Sequence, residues 1–215
     1  MTPFFNKRAL IISALCWALT PTLALSCGTE RWKVKTLADV NDSQLVMHAV
    51  PAKISDLVEI QAPTRAVLDA HADSRLPAEL HNYRVQGWLV GFKREDDEDF
   101  HIVLEDLEKR TATMVVEMPA PTCVPVFFRH DADVLRAQFE QRFGKVTAKF
   151  KNVRRHRIRV EFTGAGFFDF IHGQTGVAKN GFELHPVFAW REIFFKPDAE
   201  LGEEVAWADS YKGDA

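Results

Sequence analysis

Five side chains in this sequence could hold a metal ion or move a proton. Asp169 and His172 stand in GAGFFDFIHGQTGVAKN, Glu183 and His185 in GFELHPV, and His101 in DFHIVLED. Glu183 and His185 are one residue apart, so on a strand both point to the same side. Zinc asks for three or four such ligands, with an open position where it is to catalyse. Asp169, His172, Glu183 and His185 are the expected metal set. With His101 they would support metal-assisted hydrolysis, of phosphodiesters for example. The standard zinc spacings, His-Glu-x-x-His and paired Cys-x-x-Cys, do not occur. The competing expectation is that His185 hydrogen-bonds loop backbone and Pro186 ends the strand ladder. EDDED at 95–99 lacks the alternating acids and central glycine of an EF-hand loop and reads as a solvated turn. No cofactor is therefore predicted, and zinc or calcium stands as the alternative.

The same region supplies groups for binding. Phe167, Phe168 and Phe170 surround a Gly-Gln-Thr-Gly turn. They could meet a ligand or form a private core for the loop, each burial stabilising by about 1.5–3 kcal/mol. His172 and Gln174 would then be presented at the tip. The expected ligand-binding set is Phe167, Phe168, His172, Gln174, His101 and Glu105. A basic stripe, KVTAKFKNVRRHRIR at 145–159, carries Lys149, Lys151, Arg154, Arg155 and Arg157 and no acid. Such a stripe could neutralise phosphates. Single-strand binders also need aromatic platforms, and the EDDED turn would repel phosphate. Nucleic acid is accordingly the lesser alternative, and the stripe reads first as a charged hairpin edge that resists edge pairing.

These residues need a frame, and hydrophobic period supplies it. YRVQGWLVGFKRE, FHIVLED and TMVVEMP alternate as strands. Phe100, Ile102 and Leu104 then face in, while His101, Val103 and Glu105 face out. HDADVLRAQFEQRFGK predicts a helix capped by Asp131, with Val134, Leu135, Phe139 and Phe143 on one face and Gly144 ending it. RIRVEFTG is the fourth strand and FELHPVFAW the fifth, joined by a loop over 164–181. A long, glycine-punctuated first strand and one helix between strands three and four match the OB-fold, a five-stranded Greek-key barrel. The loop between strands four and five and the face of strands two and three are where such barrels bind ligands. The expected class is mainly β, with the barrel over 81–195, an irregular extension over 27–80 and a polar tail over 196–215. ERWKVKTL in the extension could be a strand. Trp207 and Tyr211 in the tail could dock on the barrel.

The ends set the compartment. Lys7 and Arg8 precede an apolar run from Ala9 to Leu19, and Ala24 and Ser26 fit a signal-peptidase site. Residues 1–26 are therefore expected to be a signal peptide, too short in its apolar run to be a stable anchor. A bacterial lipoprotein through Cys27 is the alternative, although Ala24 and Leu25 are in the wrong order for it. Losing the leader removes Cys16 and leaves Cys27 and Cys123, most simply one disulfide in an oxidising compartment. The leader has two basic residues and no acid, so the formal charge moves from −3 to −5. That mild acidity gives no general attraction to nucleic acid or anionic membrane.

ERWKVKT, YRVQGWLVGFKRE, DFHIVLED and GFFDFIHGQTGVAKNGFELHPV together resemble a group of secreted bacterial proteins with no established activity. The closing E-L-H-P-V strand is similar to the end of OB-like envelope modules. The resemblance implies the barrel and transfers no catalytic residue. Glu105 and Asp106 invite comparison with thermonuclease, a secreted enzyme on the same barrel, but the matching arginine and acid series is missing. No G-x-S-x-G turn marks a serine hydrolase. The expected function is a secreted or periplasmic binding module for an envelope or extracellular protein or glycan, working through the strand 4–5 loop without catalysis.

Overall fold

The computed structural model describes residues 27–194. The expected signal peptide over 1–26 and the expected tail over 196–215, with Trp207 and Tyr211, lie outside the described residues. The extension contributes a short helix α1 (Trp32–Lys35), a strand β1 (Val46–Ala52) and helices α2 (Ile54–Leu57) and α3 (Arg65–Ala70). The barrel follows as β2 (His81–Arg94), β3 (Phe100–Asp106), β4 (Thr113–Met118), helix α4 (Val126–Phe143), the two-residue β5 (Lys151–Asn152), β6 (Arg159–Phe168) and β7 (Phe182–Glu192).

β2 pairs antiparallel with β3, β3 with β4, and β6 with both β7 and β2; β4 meets β7 in parallel. These five pairings close the sheet into the expected OB-like barrel. Period-2 alternation sends Val85, Leu89, Ile102, Leu104, Met114, Val116, Phe162 and Leu184 inward, all fully buried. Phe139 and Phe143 of α4 pack edge-on and tilted against Phe92 and Trp190 and close one end.

Several expectations are corrected. ERWKVKTL forms α1, not a strand, because Arg31 adopts a left-handed conformation that turns the chain. α4 begins at Val126 with Pro125 at its N-cap, so Asp131 is internal; proline suits a helix start, where a missing N–H costs nothing. Val134 stays 37% exposed while Leu135, Phe139 and Phe143 are buried. β6 runs on to Phe168, shortening the loop to 169–181. Gly164 and Gly166 mark a close crossing within the sheet: a Cβ on either would lie 2.7 Å from Pro186 O or the Phe182 ring. Pro186 does not end the ladder, since β7 continues to Glu192.

The extension is braced internally by two buried ion pairs and tied to the barrel by a disulfide and by bonds of Arg31 and Glu79 to the Phe168 backbone. Cys27 and Cys123 are bonded, with Cα atoms 5.4 Å apart. Arg31 binds both oxygens of Glu79 at 2.6 and 2.8 Å and donates to Phe168 O at 3.0 Å, at the end of β6. Arg75 binds Asp39 Oδ2 at 3.0 Å, with both side chains fully buried. β1 adds a parallel strand beside β2. No helix among the described residues is long and apolar enough to cross a membrane.

Candidate functional site

β3 is buried on both faces. Its inner face lines the core; its outer face is covered by the 169–181 loop at His101 and Val103 and by Arg110 and Arg154 at Glu105. Gly176, at φ +79°, makes the loop's closest approach, since a Cβ there would collide with Val103. His101 Nε2 donates to Thr175 O at 2.9 Å and pins the loop from below. The backbone acceptor expected for His185 is thus met by His101.

Beneath the loop, alternate residues of three strands bring a polar cluster together: His101 from β3, Glu117 from β4, Glu183 and His185 from β7. His101 Nδ1 donates to Glu117 Oε1 at 2.9 Å. His185 Nδ1 lies 3.1 Å from Glu117 Oε2 and 3.3 Å from Glu183 Oε1. His185 Nε2 faces Asp99 Oδ2 at 3.2 Å, as an ion pair without a well-aligned hydrogen bond. Both nitrogens of His101 meet acceptors, and a carbonyl can only accept, so the ring is an imidazolium. α1 delivers Lys35, whose Nζ sits 3.5 Å from Asp169 Oδ2 and 5.4 Å from the centre of the Phe167 ring.

The charges of this cluster are interdependent. Burial opposes ionising Glu117, but its hydrogen bonds to His101 and His185 and the charge of Lys35 prevail, holding it well below the usual carboxylate range. Burial likewise opposes both imidazolium charges. The surrounding carboxylates of Asp99, Glu117 and Glu183 raise His185 well above 6.5, and Glu117 with Thr175 raises His101. Burial would also lower Lys35, yet Glu117, Asp169, Glu183 and Asp97 carry it above the ordinary lysine value. Glu183 goes the other way. Burial, then the charges of Glu117 and Asp169, push it up to about 8.

A cleft of about 460 Å³ opens beside the cluster, within the range of small-ligand sites. Lys35, Glu117, Asp169 and Glu183 form its buried walls, with Glu30, Glu95, Asp96 and Asp97 at more open positions. The structure brings together His101, Asp169, Gln174 and Glu183 of the sequence-predicted residues, with His172 exposed at the edge, 3.7 Å from Glu30. His185 lies behind the wall.

Other predicted residues sit elsewhere. Phe167 and Phe168 are 0% and 3% exposed. They are not ligand platforms: their rings pack inside the molecule, Phe167 against His185 and Phe168 against Phe182. Glu105 is buried away from the cleft, bound by Arg110 and Arg154 at 2.8 Å each. In the basic stripe, Lys151 donates to Phe143 O and Arg157 stacks on Trp88, 4.1 Å from the ring centroid. Lys149 and Arg155 are exposed. The proposed metal set does not form around His172. Among the described residues, Asp99, Glu117 and His185 form such a grouping, with ligand atoms all within 4.8 Å of one another.

Sequence reasoning missed Lys35, Asp97, Asp99 and Glu117 as members of the site. Glu117 was readable as an outward residue of TMVVEMP opposite His101; no local signal placed Lys35 there. No protein-family profile, curated protein or solved structure matches the chain.

Proposed function

We propose that the protein is a secreted or periplasmic OB-like binding module that takes an envelope or extracellular partner at the cleft beside the 169–181 loop. The observation that carries this reading is the cleft itself, about 460 Å³, at the face where such barrels bind ligands. The disulfide and the extension that it anchors are consistent with an oxidising compartment. The buried cluster below holds loop and strands in one arrangement, so binding need not order them. Hydrogen exchange tests it: the oxidised protein is mixed with purified envelope glycan fragments and with periplasmic protein fractions. Protection is expected at His101 and over 172–177, and should be lost in Gln174→Ala. Protection confined to 145–159 or to α4 would refute the reading.

A metal-assisted hydrolase is the second reading, favoured by the proximity of Asp99, Glu117 and His185. Two carboxylates and an imidazole suit zinc, which would polarise a bound water or carbonyl. Each nitrogen of His185 faces a carboxylate, however, the arrangement of an imidazolium rather than of a ligand with a bare nitrogen. Metal would have to displace that proton. Stoichiometric zinc in the purified protein, lost in both His185→Ala and Asp99→Asn, would favour this second reading.

A further inference from the structure

The cleft has a charge that its own cations do not balance. Seven acidic side chains line it, Glu30, Glu95, Asp96 and Asp97 at the more open positions and Glu117, Asp169 and Glu183 in the buried walls; Glu183, pushed up to about 8, holds its proton at neutral pH, which leaves six carboxylates. Against them stand Lys35, Lys93 and His101 in the lining and His185 behind it. A concave site lined by one sign of charge concentrates ions of the other sign. Asp169 supplies a second, independent sign. It lines the cleft, is 9% exposed, and its Oδ1 is buried without a hydrogen-bond partner. Its other oxygen receives Lys35 at 3.5 Å and Gln174 at 3.4 Å. A buried carboxylate oxygen left bare costs free energy, and a charged donor would recover it once Gln174, which bonds the neighbouring oxygen, turns aside and opens the carboxylate to the cleft.

Lys35 shows how such a donor fits. Its ammonium reaches the carboxylate while facing the Phe167 ring at 5.4 Å, an ammonium–aromatic arrangement that is itself attractive. A single metal ion would leave most of 460 Å³ unfilled. An extended cation with several N–H donors would fill more of it and reach both the buried and the open carboxylates.

We propose that the cleft binds an alkylammonium or guanidinium group, presented by a free polyamine or by a basic side chain of a polypeptide. This rests on the cleft being the binding site and adds the class of its ligand. The ligand's positive charge meets Asp169 and the open carboxylates, and Gln174 can turn to accept from it.

The test is an amide NMR titration of the oxidised protein with spermidine and with a Gly-Arg-Gly peptide, and with calcium, acetyl-glutamate amide and a neutral disaccharide as comparisons. Saturable shifts at Lys35, Asp169 and Gln174 are expected with spermidine or the peptide. Binding by one but not the other identifies the source of the cation. Asp169→Asn should weaken it at least tenfold, and Arg155→Ala should leave it unchanged. Because Asp169 is buried, Glu30→Gln at the open edge serves as a second variant, with a several-fold loss expected. If calcium shifts the same amides and excludes both amines, the ligand class is overturned. It is overturned as well if only the acidic or neutral probe binds; in both cases the cleft remains the site. If these probes and the envelope fractions all leave the cleft unperturbed while protecting another face, both readings fall.

Discussion

Glu117 decides the character of the site, because one carboxylate bonds His101 and stands 3.1 Å from Nδ1 of the second buried ring, His185. Glu117→Gln removes the charge that both rings share. Breaking a buried pair in this way costs about 3–5 kcal/mol, and the pKa values of His101 and His185 should fall together. Urea unfolding and the histidine Cε1 proton titrations measure the two effects. The pH dependence of stability has a definite sign. His101 and His185 keep their protons in the folded chain above 6.5, where the free imidazole loses them, and Glu183 keeps its own between 4.5 and about 8. Folding takes up protons across that window, so stability falls as pH rises through it. Glu117, held low, contributes above 4.5 and loses its contribution only as pH falls below that value. Urea midpoints should therefore decline as pH rises from 4.5 to about 8, where Glu183 gives up its proton. Glu183→Gln should flatten the portion below about 8; an unchanged profile would remove Glu183 from the account.

The 169–181 loop converts an open sheet face into a closed polar site, and Gly176 is the position that lets it approach. Gly176→Ala introduces both a strained φ and a collision with Val103. Strain and overpacking of this kind typically cost about 1–3 kcal/mol. The Thr175–His101 contact should open before the barrel does, read as faster exchange over 172–177 with β2–β4 still protected. The disulfide acts on the opposite wall. Cys27 leads directly into Gly28, Thr29 and Glu30, which line the cleft. It bonds Cys123 across a sequence separation of 96, and Cys27→Ser should cost about 4–5 kcal/mol on the chain-entropy model. The same variant should weaken cleft binding, which a remote staple would not do; thermal unfolding and NMR titration of one sample separate the two.

Across the whole molecule, charge is divided between the acidic cleft and the basic 145–159 stripe. The stripe is partly spent internally: Arg154 serves Glu105, Lys151 caps the end of α4, and Arg157 covers Trp88. Binding to a single-stranded oligonucleotide should accordingly be no tighter than the non-specific range of about 10⁻⁴–10⁻⁶ M. Steeply salt-dependent binding well below that range, abolished by Arg155→Ala together with Lys149→Ala, would restore nucleic acid as a partner.

Local pattern was enough for the order of the elements, and the barrel followed from the likeness of that order to the OB-fold. Period-2 alternation in β2, β3, β4 and β7 and the 3.6-residue period of α4 depend on neighbours in sequence, and they specify which faces must meet. The Cys27–Cys123 bond followed from there being two cysteines once the leader is removed. Element ends were less legible where one residue type serves two purposes: Gly164 and Gly166 look like loop residues but permit a close crossing of strands. The site was legible only in part. His101, Asp169, Glu183 and His185 were recognisable as chemistry, and alternation put Glu117 on the right face. Asp97 and Asp99 joined them when the β2–β3 turn folded beside β7, and Lys35 only when the disulfide and the Arg31–Phe168 bond brought the extension over the barrel. The reason is physical. Strand and helix periods arise from contacts a few residues apart, whereas the charges that set a buried carboxylate's proton affinity come from segments far apart in sequence, and only their packing fixes those distances.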